Sequence, residues 1–383
     1  MNYSWTKFLN LQDMIDQTIV IIGGGLAGLT AAIHFRKNNY SVLVLEKNEF
    51  PKHKVCGEYI SNEVLFYLES LGLNIESLNP KHINKLSFSL VSGKTLHTKL
   101  PLGGFGISRY ALDFYLYNHA IKLGCQIVQE TVVDIEFENE KFNIITNLNQ
   151  YQARLAICAY GKRSNLDIKL KRSFIQKQSH WLGVKAHYKL DFPDDSVGLH
   201  HFEGGYCGVS KIENNLVNIC YLANYDTFKK YKTIEDYQIN VVYKNPNLKA
   251  IFEKAVIQFE KPLTISQVSF AEKKNVENHV LMIGDTAGLI HPLCGNGMAM
   301  AIHSAKLAVE NSIDFLENRI NRSTLENNYR SDWNNNFKSR LKVGRILGKL
   351  LQREKIAQFT LKIVLLFPFL LSIIIKKTHG KAI

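Results

Sequence analysis

Residues 18–46 open with Thr18-Ile19-Val20-Ile21-Ile22-Gly23-Gly24-Gly25-Leu26-Ala27-Gly28. They continue through Leu29 to Lys37 and close with Ser41-Val42-Leu43-Val44-Leu45-Glu46. Thr18–Ile22 is a short, β-branched apolar run, the pattern of a strand buried on both faces. Gly23-x-Gly25-x-x-Gly28 follows at once, then a helix-like stretch and a second apolar strand that ends in an acid. This order is the dinucleotide fingerprint in its required context. Gly23 makes the tight turn, Gly25 lets the backbone approach a diphosphate, and Gly28 permits close helix–strand packing. The helix N-terminus offers free N–H groups and a partial positive charge to phosphates. Glu46 is placed to accept hydrogen bonds from an adenosine ribose.

A second glycine signature lies far downstream. Val280-Leu281-Met282-Ile283 is another apolar strand, and it delivers Gly284-Asp285-Thr286-Ala287-Gly288 at its carboxyl end, where α/β sheets bind ligands. The loop His291-Pro292-Leu293-Cys294-Gly295-Asn296-Gly297-Met298 then opens a helix expected over Ala299 to about Leu316. Backbone N–H groups at Gly297 and Met298, with the helix dipole behind them, suit a ligand edge that gains negative charge.

Together, and in this order, the two signatures resemble the two halves of an FAD site in the flavoprotein superfamily of aromatic hydroxylases and geranylgeranyl reductases. Three further stretches fit that resemblance. Lys54-Val55-Cys56-Gly57 is similar to a Lys-x-Cys-Gly segment that runs beside the flavin in geranylgeranyl reductases. Arg109 to Asp113 is similar to the Arg-x-x-x-Asp start of a helix whose arginine lies near the cofactor, and Ala159-Tyr160-Gly161-Lys162-Arg163-Ser164 occupies the place of an Ala-Asp-Gly-x-x-Ser motif. The resemblance covers roughly Thr18 to Asn318. It implies cofactor contacts at Gly23, Gly25, Leu26, Ala27, Gly28, Glu46, Lys47, Arg109, Gly284, Asp285, Gly295, Gly297 and Met298. Cys56 and His291, both in cofactor-proximal motifs, are the candidate catalytic side chains.

The resemblance also sets the chemistry: an FAD-dependent oxidoreductase acting on a hydrophobic, isoprenoid- or polyketide-like substrate. The Lys-x-Cys-Gly segment favours the geranylgeranyl reductase branch. The His291–Met298 loop is similar to that of squalene epoxidases, which keeps a monooxygenase acting on an aromatic ring or alkene as the alternative. A non-catalytic flavin electron-transfer module ranks third. Tyr160 stands where the family usually carries aspartate, in a motif tied in hydroxylases to both FAD and the nicotinamide donor. FAD is expected, and NAD(P)H as direct electron donor is called into question. None of Trp5, Trp181 or Trp333 sits in the Trp-x-Trp-x-Ile-Pro segment of halogenases.

The two signatures bracket everything between them, so the cofactor domain is discontinuous. The expected fold is α/β. A Rossmann-like FAD-binding domain takes residues 15–80, 110–170 and 275–330. An inserted, mainly-β substrate domain takes 81–109 and 171–274, where Lys85 to Thr98 and Trp181 to Ser269 read as strands. The C-terminal tail is expected as a separate helical element over 335–383.

Six cysteines (56, 125, 158, 207, 220, 294) lack any Cys-x-x-Cys pair, so no metal site is expected and buried thiols are the default. Met1 to Gln17 has no continuous apolar core and reads as an amphipathic lead-in rather than a signal peptide, which points to the cytoplasm. From Asn335 onward eleven basic residues face Glu354 alone, so the tail carries +10 of the chain's +13. The remaining +3 argues against a nucleic-acid partner. On a helix, Lys338, Lys342, Arg345, Lys349 and Arg353 fall on one side, with Phe337, Leu341, Ile346, Leu347, Leu350 and Leu351 mainly on the other. That pattern suits peripheral attachment to the inner, anionic face of a membrane. The run Ile363 to Ile375 is too short to span a bilayer, and Pro368 would kink it.

Overall fold

The computed structural model describes residues 15–176, 178–352, 359–360, 362–364, 366–367 and 369–383, apart from the side chains of residues 351 and 352. Two sheets organise it. The first runs, in spatial order, Val276–Glu277, Val280–Met282, Gln150–Cys158, Ile15–Ile22, Leu43–Glu46 and Gln126–Gln129. Its four inner pairings from Val280–Met282 to Gln126–Gln129 are parallel. Both faces are covered, and Ile19, Val20, Ile21 and Val44 are wholly buried, as the unbroken apolar runs predict. Helices Leu26–Lys37, Arg109–Lys122 and Gly297–Leu316 pack together over this sheet. Of the expected lead-in, Ile15–Gln17 extend the first strand, and residues 1–14 lie outside the described residues.

The second sheet runs Val256–Ile257, Trp181–Lys189, Val217–Asn224, Gly205–Lys211, Ser196–Phe202, Lys81–Ser89, Thr95–Gly106 and Tyr59–Ser61, antiparallel except where Ser196–Phe202 meets Lys81–Ser89. Leu263–Ile265 also pairs with Trp181–Lys189. Tyr59–Ser61, within the segment assigned to the cofactor domain, hydrogen-bonds into this second sheet and stitches the two units together.

The stretch from Trp181 to Ser269 is not all strand. Helices occupy Ile234–Asn240 and Pro246–Lys254. Local caps explain them: Thr233 accepts from the Asp236 N–H, and Asn245 accepts from the Asn247 and Leu248 N–H groups ahead of a proline at the first helical position.

The tail is likewise not separate. One unbroken helix, Arg322–Gln352, crosses the expected 330–335 boundary. Every fourth residue along it, Leu325, Tyr329, Trp333, Phe337 and Leu341, is buried in the main core. Its stripe continues as Gly344 and Gly348, which let the helix pass directly over the His291–Cys294 turn. A Cβ at Gly348 would stand 2.6 Å from the His291 ring. A last helix, Phe369–Thr378, lays Leu371 and Ile375 on Tyr59, Ile83, Leu86 and Leu100 of the second sheet. Glu63, wholly buried, clamps both: it accepts from Arg340 (3.1 Å), from the Gly380 N–H and from Asn296 Nδ2 (3.3 Å). The basic tail is therefore a cover over the core, and the apolar face read as free for a membrane is in large part spent on protein. Pro368 lies outside the described residues. Among the described residues, no helix is long and apolar enough to cross a membrane.

Candidate active site

The first glycine turn leaves no room for side chains. A Cβ at Gly28 would stand 1.9 Å from the Gly23 carbonyl oxygen, and one at Gly23, whose φ is +107°, would meet the Ala159 carbonyl oxygen at 2.5 Å. The helix from Leu26 has neither a side-chain cap nor an acid in its first turn. The N–H groups of Leu26, Ala27 and Gly28 therefore remain free to bind an anion. Glu46 closes the far side. Its Oε2 accepts from the Gly24 N–H at 2.8 Å and its Oε1 from the Asn48 backbone and side chain at 2.9 and 2.6 Å. Oε2 retains an acceptor site for a ribose hydroxyl. Lys47 is exposed, and the side chain that holds Glu46 is Asn48.

Two cations flank the turn: Arg109 Nη2 and Lys54 Nζ each lie 3.7 Å from the position a Cβ would take at Gly25. Asp113 holds both, accepting from Arg109 Nε and Nη2 at 2.7 Å and from Lys54 at 3.0 Å. Burial alone would raise Asp113, yet Arg109 and then Lys54 keep its carboxyl below the ordinary range. The trio carries a net positive charge and is pre-set for a diphosphate.

A buried network lies behind this segment. Glu58, at φ +55°, accepts from Lys185 Nζ (2.6 Å), pairs with His187 Nε2 (2.7 Å) and accepts the Arg109 N–H (2.8 Å). Burial opposes its ionisation, but His187 and Lys185 outweigh that and hold its pKa low. Lys185 and His187 belong to the second sheet, so this carboxylate ties the substrate-side sheet to the Lys54–Gly57 segment.

The second signature docks onto the first. Gly284, at φ +59°, has Ala27 Cβ within 3.0 Å of its would-be Cβ. Its N–H donates to Ser304 Oγ at 2.8 Å. Thr286 Oγ1 accepts the Gly161 N–H at 2.8 Å, and Lys273 Nζ donates to the carbonyls of Lys162 and Asp285 at 2.9 and 2.8 Å. Burial brings Lys273 down to about 8. Tyr160 donates to Asp167 at 2.7 Å, and Asp167 pairs with buried Arg172, which also donates to the Thr286 carbonyl. A carboxylate thus serves this corner from position 167, with the phenol of Tyr160 as intermediary. Gly295 is left-handed (φ +64°), and the helix it precedes, Gly297–Leu316, again has no side-chain cap and no acid in its first turn. Two glycine turns, two uncapped helix ends, Glu46 and the Lys54–Arg109 pair fit an adenine dinucleotide flavin.

Beside this cradle lies a cavity of about 1510 Å³, counting its opening to solvent. Val55, Cys56, Gly57, Lys162 and Pro292–Gly295 form its cofactor-side wall. Leu86, Leu199, Val209 and Leu222 of the second sheet form another, and Leu347, Val364, Leu371 and Ile375 of the tail close it. Cys56 is half-buried on this wall, its carbonyl accepting from Asn218 at 3.2 Å. His291 is placed elsewhere. Its ring packs among Trp181, Tyr206 and Phe270 under Gly348 and does not line the cavity, and burial lowers it to about 4. The geometry gives it a packing role.

Sequence motifs alone assign no role to Lys54, Glu58, Asp113, Lys162, Lys185, His187 or Lys273. Lys54, Asp113 and Lys162 stand inside the quoted motifs and Glu58 directly after one, at positions to which the resemblance assigns no role. Lys185 and His187 sit on one face of a strand, two residues apart, and that spacing was the available signal.

A family model described as FAD binding domain matches residues 16–326. The chain is 24% identical over 352 residues to conditioned medium factor receptor 1 of Dictyostelium discoideum, covering 80% of this chain and 65% of that protein, so it spans less than two thirds of that relative. It is 25% identical over 320 residues to digeranylgeranylglycerophospholipid reductase of Methanocaldococcus jannaschii, covering 78% of this chain and 77% of that one. A flavoprotein/dehydrogenase structure from Cytophaga hutchinsonii superposes with a TM-score of 0.75 at 17% identity, over 88% of this chain and 86% of the other, a likeness of fold.

Proposed function

The chain belongs to the FAD binding domain family and is an FAD-dependent oxidoreductase, and from that premise we propose that it reduces carbon–carbon double bonds in a long apolar, isoprenoid-like substrate. The observation that carries this reading is the cavity: large, walled almost entirely by aliphatic and aromatic side chains, and bordered by the Val55–Gly57 and Pro292–Gly295 segments that flank the cofactor cradle. Similarity to a protein named for reducing a digeranylgeranyl lipid supports the same substrate class.

FAD bound in the cradle supplies the two-electron redox chemistry. The protein's own groups do the rest. Lys54, Arg109 and the free N–H groups of residues 26–28 would hold the diphosphate, and Glu46 would hold the ribose. Asp285 would hold the ribityl chain, and the uncapped helix end at Gly297 would stabilise negative charge on the reduced cofactor. The Glu58–Lys185–His187 network fixes the Lys54–Gly57 segment against which substrate lies. The tail helices exclude water from the cavity.

The tail also bears a surface of exposed Phe359, Leu366, Phe367, Phe369 and Ile373 beside Lys362, Lys376 and Lys377. This patch rests on an anionic membrane surface and lets a lipid substrate reach the cavity; salt-sensitive sedimentation with anionic vesicles, absent with neutral ones, is the expected behaviour.

The reaction is tested by photoreducing the holoprotein without oxygen and adding geranylgeraniol or, separately, geranylgeranoic acid. Return of the oxidised flavin spectrum, with a more saturated product by mass, supports reduction. Product carrying oxygen, formed only on admitting labelled air, replaces it with oxygenation. Cycling of the flavin with no product in either case leaves an electron-transfer module.

A further inference from the structure

The described residues that line the cavity are mostly apolar. Among the described residues lining it, Lys162 alone carries a full charge; His379, the other titratable base on the wall, is held below its ordinary pKa by burial. Lys162 Nζ donates to the Val55 carbonyl at 3.1 Å, and among the described residues no carboxylate lies within ion-pair distance of it. Two buried acids of the same region are engaged elsewhere: Glu58 by Lys185, His187 and the Arg109 N–H, and Asp167 by Arg172 and Tyr160. Its electrostatic neighbour Lys273 is another cation. The cradle at Gly25 has its own pair of cations, Lys54 and Arg109. Lys162 is half-buried on an otherwise apolar wall, and its ammonium keeps two donors beyond the Val55 carbonyl.

We propose that Lys162 is a specificity-determining residue that receives the anionic head of an otherwise apolar ligand, so that the cavity selects long-chain acids over neutral chains of the same length. The position is informative. Lys162 joins Val55, Cys56 and Gly57 on the cofactor-side wall, and Leu350, Val364 and Leu371 of the tail line the same cavity. The acid-bearing end of the ligand therefore sits against the cofactor, and the chain extends beneath the tail. The bond that reacts is close to the head rather than at the end of the chain. This inference rests on the reading of the cavity as the substrate site.

The test uses holoprotein, with displacement of the neutral dye Nile red by oleic acid and by oleyl alcohol, at a pH where the acid is ionised. Oleate should displace the dye roughly tenfold or more better than the alcohol, the range of one charge-assisted hydrogen bond. Lys162→Met should bring the two to the same affinity, Lys162→Arg should restore the preference, and FAD content should be equal in all three proteins. Equal binding by wild type, or a preference that survives in Lys162→Met, overturns the proposal. Loss of FAD from Lys162→Met also overturns it, by making Lys162 a cofactor residue. Wild type in which neither the dye nor either lipid binds overturns the substrate-cavity reading itself.

Discussion

Cutting the chain after residue 334 should destroy the fold. The lost segment buries Phe337 and Leu341 in the main core, and Val364, Leu371 and Ile375 on the second sheet. Fully burying an aliphatic or aromatic side chain contributes about 1.5–3 kcal/mol, so these five together represent about 8–15 kcal/mol. That equals the whole net stability of a typical domain, about 5–15 kcal/mol. Loss of Arg340 adds to it by leaving the buried Glu63 carboxylate without its cation, a change worth about 3–5 kcal/mol. The truncated protein should be insoluble or rapidly cleaved in limited proteolysis, and should retain no flavin. Arg340→Met in the full chain gives a graded version: lower denaturation midpoint, partly restored by Glu63→Gln. A soluble, flavin-bound, protease-resistant 1–334 fragment would refute this reasoning and return the tail to an independent element.

Gly28→Val should abolish FAD retention, because even its Cβ would overlap the Gly23 carbonyl; a yellow purified variant would contradict that. Lys54→Met should weaken FAD binding by about tenfold or more in titrations of apoprotein, the worth of one charge-assisted bond, while the fold persists because Asp113 keeps Arg109. Acid should destabilise the protein. Burial holds His200, His201 and His291 at about 4, below the ordinary 6.5, so the unfolded chain takes up protons that the folded chain refuses. Their contribution is fully present above pH 6.5 and is lost as pH falls through 4, at most about 3 kcal/mol for each imidazole. A melting temperature unchanged between pH 7 and 5 would count against it.

What could be read in the sequence was local and contiguous. The glycine fingerprint specifies strand, turn and helix within a dozen residues, and each glycine's reason is present in its neighbours, as the close approaches at Gly23 and Gly28 bear out. The Gly284 turn was legible for the same reason. What escaped depends on pairings that sequence does not encode. Glu58 meets Lys185 across 127 residues; Glu58 sits in a loop and Lys185 on a strand buried along nearly its whole length, so no periodicity marks them as partners. The tail illustrates a different limit. An amphipathic helix declares that it has an apolar face but not what covers it; the stripe that suits a lipid surface also suits a sheet, and only Gly344 and Gly348, small where the helix meets the His291–Cys294 turn, hinted at a protein partner. The motif marks out His291, but its neighbours Trp181, Tyr206 and Phe270 come from two strands and a loop and enclose it.

The central claim is that the two glycine turns, Glu46 and the Lys54–Arg109 pair build one FAD site. Its most direct test is the visible spectrum of the purified chain before and after acid precipitation, with chromatography of what is released. The account predicts a yellow protein that gives up one FAD per chain to the supernatant, and whose Glu46→Ala and Asp285→Ala variants hold less. A colourless protein that binds no added FAD, or variants with undiminished occupancy, would contradict it.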